Sequence, residues 1–327
     1  MNQLSIFTLK AMRKLYAKAF RVQPLPKPAC EQDPDKVSRI IYDKLMSDQP
    51  CMIGRLGSTE LNMMVNYLGV KQVDKSILKF IQGKTHPWWW DKNRMLQMQR
   101  WSGFFSPTPE KTEQFCELML EDMKEVDVLG SWIPQEHIFR NKIEKSSKVK
   151  LVLLEPYTCS NPWSRSLKGK RMLVIHPFAE LIEKQYQKRE LLFKDKDVLP
   201  QFQLQTIKAV QSLGGIANGF EDWFEALDYM KSEISKREFD ICLIGCGAYG
   251  FPLAAHVKRM GKKAVHLGGA LQLLFGIKGN RWEDINYAAQ WGLPHDTYLS
   301  MFNDNWVKPD NELKPANAKN VEGACYW

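Results

Sequence analysis

Arg55, Gly57, Ser58 and Glu60 fall within six residues of one another in IGRLGSTEL (Ile53–Leu61), directly after a short apolar run. Buried strands rarely end in Arg and Glu without a partner for each. Either the two pair over a capped helix, or they face a ligand that needs both a cation and a carboxylate. A second chemical signature lies far downstream. FDICLIGCGAYGFPLAAHVKRMGKKAVHLGG, Phe239 to Gly269, carries G-x-G-x-x-G at Gly245, Gly247 and Gly250, with Tyr249 inside it. Glycines there let a backbone approach a diphosphate, and the free N–H groups of the following helix supply positive potential. Gly268 and Gly269 open the next helix, and Gln272, Lys278 and Arg281 follow. The competing reading is that these glycines serve tight turns and close packing only.

A nicotinamide dinucleotide asks for more. The strand after the glycine turn should end in an acid that holds the ribose hydroxyls. Here it ends KAVHLGG, with His266 near its end, and no Asp or Glu occurs between Asp240 and Glu283. Six Lys and Arg lie in that interval. The segment suits a pyrophosphate but lacks the ribose clamp, so an NAD(P)-binding oxidoreductase stands only as an alternative. Candidates for an acid or base at strand ends are Glu60, Glu155, His176 and Glu180. The run HPWWW (His86–Trp90) could stack on sugar rings or form a buried aromatic cluster under a loop, and Trp163, Trp282 and Trp291 pose the same question.

The elements that must position these groups alternate between strand and helix. CMIGR, VDVLGSW, KVKLVLLEP, RMLVIHP, LQTIKAV, the run Phe239–Ile244 and KAVHL read as strands. Helices are expected after Asp33 or Asp35, from Ser58, over Phe178–Leu192, over Glu221–Ser235, and after each glycine pair. That alternation predicts an α/β fold, Rossmann-like, with a mostly parallel sheet and helices on both faces. The expected organisation is an arm and Pro-rich linker over 1–30, one α/β domain over 31–305, and a polar, extended tail over 306–327.

The chain has 327 residues and a formal net charge of +9, which favours an anionic partner. No helix-turn-helix, zinc or RNP-type signature is present, so nucleic acid is not expected. Seven cysteines without a CxxC pair point to free thiols in a reducing cytoplasm. No apolar run is long enough to span a membrane. The N-terminal arm, MNQLSIFTLKAMRKLYAKAFRVQ, is broken by cations and is not a good signal peptide. Leu4, Phe7, Met12, Leu15 and Phe20 favour one side of a helix with five cations between Lys10 and Arg21. Such a helix either lies on an anionic membrane surface or packs on the domain or a partner.

On these residues the sequence resembles the GT-D superfamily of bacterial glycosyltransferases. RLGSTE matches that family's early R-F-G-D-G-E at Arg55, Gly57 and Glu60. GCGAYGFPLAAHVKRMGKKAVHLGG resembles its late strand pair in glycine spacing and in the Ala-Val-x-Leu-Gly end. KRMLVIHPFAELIEKQY and DWFEALDYM resemble proteins of surface-polysaccharide gene clusters. The resemblance implies a GT-D-like fold and transfer of a sugar from a nucleotide-sugar donor to a surface-polysaccharide or lipid-linked glycan acceptor. The alternative is a non-catalytic protein that binds sugar nucleotides or polysaccharide. On the transferase reading, donor binding falls to Arg55, Gly57, Ser58, Gly245, Gly247, Tyr249, Gly250, His266, Gly268, Gly269, Gln272, Lys278 and Arg281, and catalysis to Glu60 and to the strand-end candidates His176 and Glu180. The family holds Mn²⁺ or Mg²⁺ through Asp-x-Glu, which here is Ser58-Thr59-Glu60. Glu60 is then the one remaining carboxylate for a metal, and weak metal dependence is expected. His266 and Gly269 stand where the family has Asp and His. A cytoplasmic location follows, peripheral at the inner face of the membrane.

Overall fold

The computed structural model describes residues 1–213, 219–314, 318–321 and 323–327. Seven strands form one parallel sheet: β1 (Cys51–Arg55), β2 (Val128–Ser131), β3 (Ser147–Lys150), β4 (Arg171–His176), β5 (Gln203–Lys208), β6 (Ile241–Ile244) and β7 (Lys263–His266). Their order across the sheet is β3-β2-β1-β7-β6-β4-β5. The inner strands are unbroken apolar runs, as a sheet covered on both faces requires. Ile53 pairs with Val128 on one side and Val265 on the other.

Helices cover both faces. Before the sheet come α1 (Gln3–Ala19) and α2 (Pro34–Met46), the latter capped by the Asp33 side chain with Pro34 in its first turn. After β1 come α3 (Ser58–Lys71), α4 (Ile77–Ile81), α5 (Lys92–Gln97) and α6 (Pro109–Asp122). A π-helical turn, Met98–Ser102, separates the last two and ends at Gly103 with φ 77°. Next are α7 (Ala179–Tyr186), α8 (Arg189–Leu192), α9 (Trp223–Ser235), α10 (Gly250–Arg259), α11 (Leu271–Leu274), α12 (Asn280–Glu283) and α13 (Tyr287–Gln290). One core lies between the sheet and α3, α6, α9 and α10, around Met64, Phe115, Trp223 and Phe251. The other lies under α2 and α7, around Ile41, Trp163, Ile182 and Leu273. Among the described residues, no helix is long and apolar enough to cross a membrane.

Three local expectations are corrected. The strand expected over KVKLVLLEP, through Pro156, stops at Lys150, and Leu151–Leu154 wind into a 3₁₀ turn. An edge strand with one ladder partner gains less from extension than from burying Val152, Leu153 and Leu154 together. The helix expected over Phe178–Leu192 breaks at Gln187–Lys188, where the Lys188 N–H turns back to the Gln185 carbonyl (2.9 Å). The tail is not extended. Ala318, Val321, Ala324 and Trp327 are buried in the second core, and the Trp327 indole donates to the Leu313 carbonyl (2.9 Å). Residues 315–317 and 322 of that tail lie outside the described residues.

Candidate active site

β4 is followed by a crossover to β5 on its outer side, and β6 by one to β7 on its inner side. Their carboxyl ends therefore part at a topological switch point, the place where open parallel sheets take ligands. A cavity of about 310 Å³ lies there and draws its walls from the loops after all seven strands. That volume is at the lower end of the roughly 300–1,000 Å³ of small-molecule sites.

One wall is cationic. Arg55 leaves the end of β1 with its guanidinium 5.7 Å from the Trp132 ring centroid, and it makes no ion pair among the described residues. The Trp132 indole is fixed in turn by donating to the Leu56 carbonyl (3.1 Å). Next to Arg55, Gly57 stands at the N-cap of α3, with no side chain to cap the helix. The first amides of this fourteen-residue helix have no intrahelical acceptor, and Ser58, Thr59 and Glu60 line the same cavity. Glu60 sits in the first turn with its carboxylate folded over Gly57, where a Cβ would collide with it. Glu60 forms no hydrogen bond or ion pair among the described residues, so of the two readings of this turn the Arg55–Glu60 salt bridge is not made.

His176, the last residue of β4, is buried and lines the cavity. Its Nδ1 accepts the Phe178 N–H (3.0 Å), which leaves the proton of the neutral ring on Nε2. Burial pulls its pKa down to about 3, so it stays neutral at working pH. Such a ring donates a hydrogen bond rather than taking a proton.

Glu155 also lines the cavity, carried in by the turn that ends β3 early. It is buried, and its Oε2 accepts from the Tyr298 hydroxyl (3.0 Å). Burial raises its carboxyl to about 7, against an ordinary value of 4.5, with the Tyr157 and Tyr298 hydroxyls opposing the rise. An aromatic wall completes the site. Trp132 meets Trp291 edge-on at 5.5 Å, and Arg281 lies 5.6 Å from the Tyr287 ring and 4.9 Å from Tyr326. Gln272 Nε2 donates to the Tyr326 carbonyl (3.1 Å), and Arg281 Nη2 to Cys325 Sγ (3.0 Å), which tie the chain's last residues to this wall.

The expected site residues divide as follows. Arg55, Gly57, Ser58, Glu60, His176, Gly245, Gly247, Tyr249, Gly268, Gly269, Gln272 and Arg281 line the cavity. Gly250, His266, Lys278 and Glu180 do not. Glu180 is on the surface, paired with Lys208 (3.0 Å), and Lys278 lies over the Phe302 ring at 5.5 Å. The Tyr249 ring turns away to stack on Trp223 at 5.0 Å. The glycines of the G-x-G-x-x-G turn are largely filled by protein. A Cβ at Gly245 would meet the Gly268 carbonyl at 2.6 Å and His176 at 2.8 Å, and one at Gly250 would strike the His266 ring. Gly247 needs its φ of 58° and sits 2.9 Å from the Ser102 carbonyl by the same measure. A Cβ at Gly269 would strike the Tyr326 ring. Close packing thus accounts for Gly245, Gly250 and Gly269. The cation and the uncapped helix start in this cavity are instead Arg55 and the start of α3. Trp101, Trp132, Tyr287, Tyr326 and Trp327 line the cavity without having been anticipated. HPWWW lies elsewhere, with Trp89 packed edge-on against Phe80 and Trp88, both at 5.2 Å.

No group of three or more His, Cys, Asp or Glu that could hold a metal exists among the described residues. At Ser58-Thr59-Glu60 a single carboxylate shares its turn with a guanidinium, a donor set that does not fit a hard cation held by the protein.

The packing at Gly250 makes a direct prediction. Gly250→Ala is expected to cost about 1–3 kcal/mol by overpacking against His266. Adding His266→Ala should recover part of that loss in thermal unfolding. Ligand affinity of the folded variant should be unchanged, because neither residue lines the cavity.

The chain matches no known protein-family model and no curated protein. It is similar to a solved structure described as "The highly conserved domain of unknown function 1792 has a distinct glycosyltransferase fold". The identity is 11% and the TM-score 0.38, over 79% of this chain and 81% of that one. A selenomethionine-substituted structure of domain of unknown function 1792 gives 12% identity and a TM-score of 0.37, over 80% and 82%. The glycosyltransferase fold is a description of that domain, and a likeness of this degree carries no argument about what this chain does.

Proposed function

We propose that the cavity binds a nucleotide-sugar donor and transfers its sugar to a hydroxyl of a surface-polysaccharide or lipid-linked glycan acceptor in the cytoplasm. The observation that carries this reading is the joint presence, in one cavity, of Arg55 at an uncapped helix start with no ion pair among the described residues, and of a buried Glu155 whose carboxyl is raised to about 7. Arg55, the first amides of α3 and His176 Nε2–H take the diphosphate. Trp132, Tyr287 and Trp291 offer faces on which the base or sugar ring stacks. Glu60 accepts hydrogen bonds from donor hydroxyls.

In the transfer step the acceptor oxygen bonds to the anomeric carbon while the bond from that carbon to the diphosphate oxygen breaks. The electron pair leaves on the diphosphate, where Arg55 and the helix start stabilise it. The acceptor's proton passes to Glu155. No step is routed through a metal, and weak metal dependence is part of the proposal.

Thermal unfolding against a panel of nucleotide sugars is the first test. A bound donor at about a hundred times its Kd should add about 2.7 kcal/mol. Transfer or hydrolysis of that donor should persist in EDTA. Strict loss of turnover on chelation would overturn the metal-independent route, and binding without any turnover would favour a non-catalytic binder.

A further inference from the structure

α1 has two working faces, and among the described residues only one is used. Ile6 and Leu9 pack on Phe80, Trp88 and Trp89, so the HPWWW run serves as the anchor for the arm. Lys10 pairs with Asp91 (2.7 Å), and Arg13 donates to the Thr85 carbonyl (2.9 Å) with its guanidinium 4.8 Å from the Phe80 ring. The opposite stripe is left bare. Leu4, Phe7 and Leu15 are 74%, 71% and 67% exposed, and at 100° per residue they share one side of the helix. α4 packs directly on α1 and adds Ile77 and Leu78, while Val73 just before it is 98% exposed. Large apolar side chains gathered on neighbouring elements mark an interaction surface.

The charges select the partner. The first 30 residues contain no Asp or Glu. Lys14, Lys18 and Arg21 are exposed along α1 and its end, as are Lys75 and Lys84 around α4. None of these five makes an ion pair among the described residues. The acid at Asp74 is taken up by Lys79 (2.5 Å). A second copy of the chain would set these cations against their equals, whereas an anionic lipid surface neutralises them and accepts the apolar stripe at its headgroup boundary.

We propose that the outer face of α1, with Ile77 and Leu78 of α4, docks on an anionic bilayer surface. This goes beyond the catalytic reading and is measured without sugar transfer, so either can fail alone. Deleting residues 1–22 would also strip Leu9 from Phe80 and Trp89, so substitutions on the exposed face are the cleaner probe.

The full chain should sediment with vesicles of equal parts phosphatidylcholine and phosphatidylglycerol and remain in the supernatant with phosphatidylcholine alone. Binding should weaken as salt screens the charges. Lys14→Glu with Lys18→Glu should weaken it at least tenfold. Leu4→Ser with Phe7→Ser and Leu15→Ser should do the same, with thermal unfolding unchanged in both variants because these side chains contact solvent. Equal sedimentation with both vesicle types, no sedimentation with either, or undiminished binding of the serine variant would each overturn the proposal. Failure on protein-free vesicles alongside capture by an acidic protein would assign the surface to a protein partner instead.

Discussion

Glu155→Gln is expected to lower the turnover of sugar transfer by about 10²- to 10⁴-fold, the range for losing a general base. It should do so without unfolding the protein, since Gln keeps the shape and the Tyr298 hydroxyl can still donate to the amide oxygen. Stability should move the other way above neutral pH. The folded carboxyl holds its proton up to about 7, whereas in the unfolded chain it releases it near 4.5. Between those values the native state binds the extra proton, so this group's contribution is complete below about 4.5 and is lost as pH rises through about 7. Gln carries no proton to lose. Wild type should therefore lose stability relative to Glu155→Gln across that window, by on the order of a few kcal/mol. Unfolding of both proteins below and above the window measures this, and a pH profile of kcat measures the chemistry. Turnover in wild type should rise through about pH 7 as the carboxylate forms. An unchanged kcat in a stable Glu155→Gln protein would remove Glu155 from the reaction. Glu60→Gln is the natural comparison, and a larger loss there would transfer the base to Glu60.

Arg55→Ala is expected to weaken UDP or GDP binding by about 10- to 100-fold, since hydrogen bonds to charged groups contribute roughly 1.5–3 kcal/mol. The cost in folding should be small. Arg55 has no carboxylate partner among the described residues, so its removal strands no buried charge. Arg55→Lys keeps the charge but not the planar fork and should fall between the two. Calorimetry on the folded variants decides. Unchanged affinity would place the diphosphate elsewhere in the cavity.

Much of this arrangement was legible because it is written locally. Unbroken apolar runs such as ICLI and MLVIH mark buried parallel strands, and the Arg and Glu that follow CMI mark a strand end facing something polar. The G-x-G-x-x-G turn was legible as a strand–turn–helix unit for the same reason. Its purpose was not, because the atoms that fill its glycines come from His266 and the Gly268 carbonyl, neighbours by folding rather than by sequence. Glu155 stood out as a strand-end carboxylate, yet its burial depends on Tyr157 and on Tyr298, which lies more than a hundred residues away. The chain's last residues were the least legible. Their Asn- and Lys-rich approach reads as a solvated tail, and only the tertiary contacts of Gly269, Gln272 and Arg281 draw Tyr326 into the cavity wall. Glu180 follows the same local rule as Glu155 but sits in the first turn of α7 on its solvent side, opposite the face that buries Ile182 and Tyr186.

The first strand of the sheet has the last strand as its neighbour: Cys51 pairs with Lys263 and Ile53 with Val265. Nothing in the first half of the chain can complete the sheet's centre. While β1, β2 and β3 assemble, the inner edge of β1 presents bare N–H and C=O groups, an invitation to the wrong partner. It is closed only when a segment more than two hundred residues downstream arrives, and contacts of such separation form slowly. Refolding from denaturant should therefore depend on protein concentration more steeply than the size of the chain alone would demand. Truncations that end before Lys263 should aggregate rather than fold.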